Sequence, residues 1–264
     1  MFSCRISCFD LKRKFYFYIL LFLGGITKRR AKISSLKIDT ITKRKNPYLF
    51  KAKGFLTSDE LVSSLLDALL SSGEETSFGD FLEKIAIFTA EQALQGYKSG
   101  IKGIDLEFNK DKTRYLVTIK SGPYWANSGQ KNTLKNNFKT ASQILRTSGG
   151  LKTSQITCIE GCCYGNSETK IFKDNHYKLC GQDFWTFISD GNEKLYLEIL
   201  EEVSFETEKN RILLTKIIQK KREELIQSFK EKYSEKDNKI LWNKLLIDNS
   251  GSRSNFSEYF SYKE

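Results

Sequence analysis

Residues 103–120 read Gly-Ile-Asp-Leu-Glu-Phe-Asn-Lys-Asp-Lys-Thr-Arg-Tyr-Leu-Val-Thr-Ile-Lys, and this stretch predicts a β-hairpin. In its first part apolar and acidic residues alternate, which is typical of a half-buried strand. The polar residues 109–112 predict the turn, and residues 115–120 predict the returning strand. Ser121-Gly122-Pro123 then ends the second strand, since proline cannot donate to a strand ladder.

The hairpin carries a pattern that suits phosphodiester chemistry. Thr118 and Lys120 are two residues apart, so they share one face of their strand, and the antiparallel partner brings Asp105 to that face. A carboxylate can hold Mg²⁺, while a lysine beside it orients or deprotonates a water molecule and offsets phosphate charge. Charged residues at strand ends are also common on solvated hairpins, so the pattern alone leaves both interpretations open.

Helical patterns surround the hairpin. Thr57 and Glu60 form a capping-box pattern that begins one helix, which we expect to end at 71–73 before a second helix from Phe78 to about Gln95. Further elements are predicted at 128–146 (helix), 155–163 (strand), 184–188 (short helix), 206–233 and 239–246 (helices). This order predicts a compact α/β domain with a helical C-terminal extension.

The sequence of the predicted hairpin resembles the type II restriction endonucleases of the PD-(D/E)xK superfamily, specifically the PmeII-like family. The resemblance spans roughly residues 45–251 and excludes the arm before Lys43. The other segments that carry it are Asn46–Lys53, Glu74–Thr76, Phe78–Glu83, Cys163–Gly165, Cys180–Trp185 and Lys239–Leu245.

The resemblance implies an α/β fold with a PD-(D/E)xK restriction-endonuclease-like core, in which helices flank a mixed central sheet. It also implies a cytoplasmic homodimer that hydrolyses double-stranded DNA at a short palindromic site with Mg²⁺, beside a cognate DNA methyltransferase. We accordingly divide the chain into a basic N-terminal arm, a nuclease core with N-terminal helices, and a C-terminal helical region for DNA binding or dimerisation. The predicted ranges are 1–42, 43–190 and 191–264.

By position, the resemblance makes Asp105 the metal-binding acid and Lys120 the catalytic lysine. Thr118 stands where the superfamily has its second acid, so a carboxylate must come from elsewhere. Glu83 is our candidate, because it lies in an apolar helix where a charge needs a metal or a partner; Glu107 is the second choice. The predicted metal ligands are thus Asp105, Glu83, Thr118 and Ile119.

Two alternatives follow from this departure. Glu83 can instead be a surface acid or a salt-bridge partner. If no acid replaces the one missing at Thr118, the chain is a catalytically weak or inactive relative that still binds DNA.

The helix after the hairpin is basic on one side. Lys131, Lys135 and Lys139 recur every four residues and therefore share a face. Beside a nuclease hairpin we predict that these lysines contact DNA phosphates, and that Gln130 at the start of the helix contributes a hydrogen bond. On sequence alone, a solvated helix face is the simpler interpretation.

Composition and charge exclude a fully disordered chain and a polytopic membrane protein. With 39% hydrophobic and 28% charged residues, the chain has material for a core and is not a polytopic membrane protein. Nine Lys or Arg and two acids in residues 1–42 supply +7 of the formal +11, so net charge is weak evidence for DNA binding. The apolar run 15–23 is shorter than the roughly 20 residues of a membrane-spanning helix. With the basic residues on either side of it, it motivates a third hypothesis, a membrane-associated protein anchored by residues 12–30.

Five residues raise the possibility of a structural zinc site. The chain's one histidine lies four residues before a cysteine, but the cysteines lack a C-x-x-C knuckle. Buried free thiols in an apolar strand are the alternative. The residues concerned are Cys158, Cys162, Cys163, His176 and Cys180.

Overall fold

A computed structural model describes most of the chain from residue 31 onwards. By its internal contacts the chain divides into two compact units. The first contains the described residues of 75–208, and the second those of 31–74 and 209–250. The described residues are 31–147, 155–172, 176–205, 207–235 and 237–250.

The first unit is built on a six-stranded mixed sheet with the order β1-β2-β3-β4-β6-β5. The strands β1, β2 and β3 pair antiparallel, β3, β4 and β6 pair parallel, and β5 is antiparallel to β6. Their bounds are β1 Tyr97–Lys98, β2 Leu106–Lys110, β3 Thr113–Lys120, β4 Gln155–Cys162, β5 Lys170–Ile171 and β6 His176–Cys180.

The predicted hairpin is confirmed as the β2–β3 pair, with Phe108 opposite Tyr115. Its turn is tighter than predicted, because only Asp111 and Lys112 lie outside the strands, with φ of +48° and +61°. Two consecutive residues with positive φ are typical of the type I′ turn, whose twist matches that of the flanking strands.

Helices cover both faces of this sheet. Helix α4 (Ser128–Thr147) connects β3 to its parallel neighbour β4 and packs Leu134, Phe138 and Ala141 on one face. The other face carries the C-terminal half of α3 (Ser58–Leu94), α5 (Gln182–Ile188) and α6 (Leu195–Phe205). The α/β fold class, with a mixed central sheet between helices, is therefore confirmed.

Helix α3 differs from the prediction. Residues 71–73 do not end a helix, and one continuous helix of 37 residues runs from Ser58 to Leu94. An isolated glycine such as Gly73 costs only about 1 kcal/mol inside a helix, which the packing of apolar residues on either side of it offsets. The predicted capping box is present, since Glu60 Oε2 accepts from the backbone N–H of Thr57 at 3.3 Å and Glu60 N–H donates to Thr57 Oγ1 at 3.4 Å.

The second unit is helical. Residues from the start of α3 pack with α1 (Ile38–Thr42), α2 (Pro47–Ala52), α7 (Thr207–Tyr233) and α8 (Trp242–Asn249). Residues 43–74, which the sequence analysis grouped with the nuclease core, thus pack in one unit with the C-terminal helices. Its core residues include Ile41, Leu61, Leu66, Phe229 and Tyr233.

The predicted N-terminal arm lies largely outside the described residues, and its apolar run at 15–23 does so entirely. Within the part of the chain that the structure describes, no helix has both the length and the apolar character needed to cross a membrane.

Candidate active site

Asp105 lies immediately before β2 and is fixed against the neighbouring strand. Its backbone N–H donates to the carbonyl of Val117 at 2.9 Å, and its Oδ2 accepts from the backbone N–H of Ile119 at 2.7 Å. The two bonds hold the carboxylate of Asp105 beside the last residues of β3. One oxygen of the carboxylate has no part in these bonds.

Glu83 lies on α3 and is half-buried, with 31% of its side chain exposed. Burial raises the pKa of the Glu83 carboxyl, and the negative charge of Asp105 raises it further, against the opposing effects of Lys98 and Lys120. Glu83, Asp105 and Lys120 therefore lie close enough to interact electrostatically. Carboxylates that repel one another in a partly buried place are a common sign of a functional site.

Glu83 also forms a salt bridge, which was the alternative interpretation of this residue. The Nζ of Lys98 lies 3.6 Å from Glu83 Oε1, but 71% of the Lys98 side chain is exposed. An exposed pair at this distance contributes little stability, so it leaves Glu83 available for other interactions.

Lys120 is the last residue of β3 and is half-buried. Its ammonium nitrogen lies 5.0 Å from the centre of the Trp125 ring, which is a cation–π contact. The lysine is thus restrained at the strand end near the two carboxylates.

Thr118 is 3% exposed, and its hydroxyl donates to the carbonyl of Gly103 at 2.9 Å. This bond ties the centre of β3 to the segment that leads into Asp105. Ile119 has a buried side chain in the core, so only its backbone carbonyl is chemically suited to a metal. Thr118 and Ile119 stay predictions as ligands.

Glu107 is engaged elsewhere. It is 3% exposed, its Oε2 accepts from Arg114 Nη2 at 2.6 Å, and its Oε1 accepts from Ser99 Oγ at 2.6 Å. A carboxylate with an arginine and a hydroxyl as partners is already neutralised. Of the two acids considered as replacements for the missing one, Glu83 remains the candidate, because Asp105 and Lys120 both affect the pKa of its carboxyl.

A buried ionic cluster lies on β4 and β6, and the sequence patterns did not predict it. Glu160 of β4 is 5% exposed, and its Oε1 lies 2.8 Å from Lys178 Nζ and 2.9 Å from Trp125 Nε1. His176 Nε2 lies 3.7 Å from the other oxygen. Burial opposes ionisation, but the neighbouring His176 and the hydrogen bonds from Lys178 and Trp125 outweigh it and lower the pKa of Glu160 to about 2.

The sequence did contain a signal for this cluster. Glu160 lies between Cys158 and Cys162, and Lys178 lies between His176 and Cys180, so each charge is central in a short strand. In the parallel pairing of β4 and β6 these two charges are opposite each other. The cluster was missed because β6 was not recognised as a strand.

An open cleft with a volume of about 340 Å³ begins where β3 ends. Four of its nine lining residues are aromatic, and the lining comes from one face of α3 and from the loops after β3 and β4. The lining residues are Glu75, Phe78, Gly79, Ser121, Gly122, Pro123, Tyr124, Trp125 and Tyr164.

The candidate zinc residues are placed in different environments. His176 stacks on Phe172 with ring centres 4.5 Å apart and faces Glu160, while the four cysteines of the set are buried free thiols. Burial raises the pKa of the Cys163 thiol to about 12, which disfavours the thiolate that zinc requires. Among the described residues no group of three or more His, Cys, Asp or Glu is arranged to hold a metal ion.

The basic helix is present as α4. Lys131, Lys135 and Lys139 are exposed, whereas Leu134 and Phe138 of the same helix are buried. Gln130 caps the helix: its Oε1 accepts from the backbone N–H of Asn127 at 3.0 Å, and its own N–H donates to Asn127 Oδ1 at 3.0 Å. The side-chain amide nitrogen of Gln130 has no part in this reciprocal cap.

Comparison with known proteins supports a type II restriction endonuclease. A family profile described as type II restriction endonuclease EcoO109I matches residues 20–211, which is well over half of the chain. No curated protein shows a significant match. The profile supports the restriction-endonuclease part of the predicted resemblance but not its PmeII-like part. The chain belongs to the type II restriction endonuclease family of EcoO109I.

Proposed function

We propose that the protein hydrolyses phosphodiester bonds in double-stranded DNA at a short palindromic site, in a reaction that depends on Mg²⁺. The observation that carries this proposal is the placement of Asp105, whose carboxylate accepts from the backbone N–H of Ile119 at 2.7 Å, directly before Lys120 at the end of β3. The half-buried Glu83 supports it, because Asp105 and Lys120 both affect the pKa of Glu83, and the restriction-endonuclease family profile covers all three residues.

The donor set at this end of β3 fits Mg²⁺. The ion takes oxygen ligands and is typically bound through one or two carboxylates while keeping several water molecules. Asp105 and Glu83 supply two carboxylates, and the backbone carbonyl of Ile119 is a third candidate. When bound, Mg²⁺ lowers the pKa of a coordinated water molecule and offsets the charge that develops on the phosphate.

The protein's own residues bind the cation, orient the water molecule and contact the DNA. Asp105 is held in place by the backbone N–H of Ile119, so its carboxylate needs no rearrangement to receive a cation. Lys120 orients the attacking water and offsets negative charge on the phosphate. The exposed lysines of α4, Lys131, Lys135 and Lys139, contact the DNA backbone, and the amide of Gln130 adds a hydrogen bond.

We further propose that the enzyme acts as a homodimer. A palindromic site has two-fold symmetry, which a two-fold symmetric dimer matches directly. A host that carries such an enzyme needs a DNA methyltransferase to protect its own sites. The resemblance of the hairpin sequence to the PmeII-like family stays a prediction.

The test is a cleavage assay on long DNA of varied sequence with and without Mg²⁺. Discrete fragments are expected from the wild-type protein, and their loss is expected in Asp105→Asn, Glu83→Gln and Lys120→Ala. Glu91→Gln is the matched control for Glu83, since Glu91 is an exposed acid on the same helix. Lys194→Ala serves the same purpose for Lys120, because Lys194 is exposed in the same unit.

Two results would contradict the proposal. DNA that is retained but never cut, at any Mg²⁺ concentration, would make the chain a DNA-binding relative without catalysis. If Asp105→Asn cut DNA as fast as the wild-type protein, Asp105 would not be the acid that binds the metal. A calorimetric titration of Mg²⁺ into the protein without DNA measures binding separately from cutting, and we expect weaker binding for Glu83→Gln than for Glu91→Gln.

A further inference from the structure

The loop that follows β3 brings an indole ring against the predicted catalytic lysine. Trp125 is half-buried, five residues beyond Lys120, and the Lys120 nitrogen lies 5.0 Å from its ring centre. A lysine side chain has four rotatable bonds and loses much freedom when it is fixed. The ring therefore provides a surface that favours one placement of the ammonium group.

The orientation of this ring is set from the neighbouring strand. Trp125 Nε1 donates to Glu160 Oε1 at 2.9 Å, and the indole nitrogen has no other hydrogen-bonding capacity. Glu160 is buried in β4 and paired with Lys178, so the acceptor is an immobile, charged carboxylate. Hydrogen bonds to an ionised acceptor are stronger than those between neutral groups.

The backbone of the loop is held by the same cluster. Lys178 Nζ donates to the carbonyl of Pro123 at 2.9 Å in addition to its bond with Glu160. Pro123 packs on Gly165, where an added Cβ would lie 2.6 Å from the proline ring. The loop is thus fixed at two points, Pro123 and Trp125, by groups of β4 and β6 and of the turn after β4.

We infer that Trp125 is a positioning residue for Lys120, and that Glu160 holds the indole in the orientation that this requires. The inference rests on the proposed nuclease function, because it assigns a role to the contact between Trp125 and Lys120. The ionic cluster of Glu160, Lys178 and Trp125 contributes to catalysis only through the placement of Lys120.

The first experiment measures single-turnover cleavage rates and DNA dissociation constants for two substitutions at one position. Trp125→Leu removes the ring, and we expect its cleavage rate to fall at least tenfold with DNA affinity changed less than threefold. Trp125→Phe keeps an aromatic face and loses only the bond to Glu160, so its rate is expected to lie between those of wild type and Trp125→Leu. A variant that merely loosened the fold would lose DNA affinity along with rate.

Tyr97→Leu is the matched control. Tyr97 lies under Arg114, at the other end of β3, with 5.4 Å between the guanidinium carbon and the ring centre. Removing this ring deletes a cation–π contact on the same strand without touching Lys120, and the cleavage rate is expected to stay within twofold of wild type.

The second experiment reads the contact without any cleavage. In protein labelled with ¹³C at lysine Cε, the Lys120 signal is identified by its absence in Lys120→Arg. An aromatic ring shifts nearby protons, so the signal is expected upfield of exposed lysines and is expected to return to their range in Trp125→Leu. A signal already in the exposed range in wild type would overturn the inference.

The outcomes separate the two proposals. If the wild-type protein cuts no DNA, the proposed function fails, and the positioning role fails with it. If it cuts, but Trp125→Leu cuts at an unchanged rate with a correctly folded circular dichroism spectrum, the positioning role fails while the nuclease function stands.

Discussion

Thr118 of β3 lies opposite Glu160 of β4 in the parallel pairing of these strands, and both side chains are buried. The Thr118 hydroxyl is bonded to the carbonyl of Gly103, while Glu160 is bonded to Lys178 and Trp125. Paired strands are less than 5 Å apart, so an acid at position 118 would place a second negative charge next to Glu160. A neutral residue at position 118 therefore avoids repulsion with the buried carboxylate of Glu160.

This relationship predicts a cost for restoring the superfamily acid. Thr118→Glu is expected to be less stable than Thr118→Gln by about 1–3 kcal/mol at pH 7 without divalent ions, because the two side chains have nearly the same size and only one is charged. Urea denaturation of both variants measures the difference. In a Glu160→Gln background the difference should shrink; equal stabilities in the wild-type background would contradict the repulsion.

The hairpin and the cap of α3 were predictable because their signals are local. Alternating residues, a polar turn and a Thr57–Glu60 pair each specify a structure within a few residues. The unbroken course of α3 through Gly73 was not predictable, since tertiary packing decides whether a helix tolerates one glycine. Glu83 was selected as a candidate from a local signal too, an acid in an apolar helix, and its role as a ligand stays a prediction.

The ionic cluster of Glu160 and Lys178 depends on distant parts of the chain. Its partners come from β4 and β6 and from the loop after β3, and their contact requires the strand order of the sheet. Local patterns give neither strand order nor register between β4 and β6. The orientation of Trp125 likewise depends on the position of Glu160, which no local pattern gives.

Glu160 predicts how stability depends on pH. Its carboxyl has a pKa of about 2 in the folded protein against an ordinary 4.5, so it stabilises the fold above pH 5 and loses this effect as the pH falls toward 2. The pKa difference corresponds to up to about 3 kcal/mol. The stability difference between wild type and Glu160→Gln is therefore expected to be largest at neutral pH and to narrow below pH 5.

Urea denaturation at pH 7, 5, 3.5 and 2.5 gives this comparison. Glu91→Gln is the control, since Glu91 is an exposed acid outside the cluster. A gap between wild type and Glu160→Gln that stays constant across this range would show that the charge of Glu160 adds nothing to the stability of the fold.

The basic face of α4 predicts the salt dependence of DNA binding. If Lys131, Lys135 and Lys139 each contact a phosphate, replacing all three with alanine should reduce the slope of log K against log salt by up to about 2.7. The corresponding triple arginine variant keeps the charge and should keep the slope. Fluorescence anisotropy with labelled duplex DNA at several salt concentrations measures both, and an unchanged slope in the alanine variant would leave α4 as a solvated face.

Gly161 of β4 lies in the core of the first unit, where we expect an added side chain to destabilise the fold. A methyl group at this position would overlap the ring of Phe184, which is fully buried between the sheet and α5. Because the ring has no space to move into, Gly161→Ala is expected to destabilise the first unit by about 1–3 kcal/mol. Phe184→Leu in the same chain should recover part of this loss, because the smaller side chain leaves room for the methyl group. Thermal denaturation of the two single variants and the double variant measures the coupling; strictly additive losses would mean that the two positions do not compete for space.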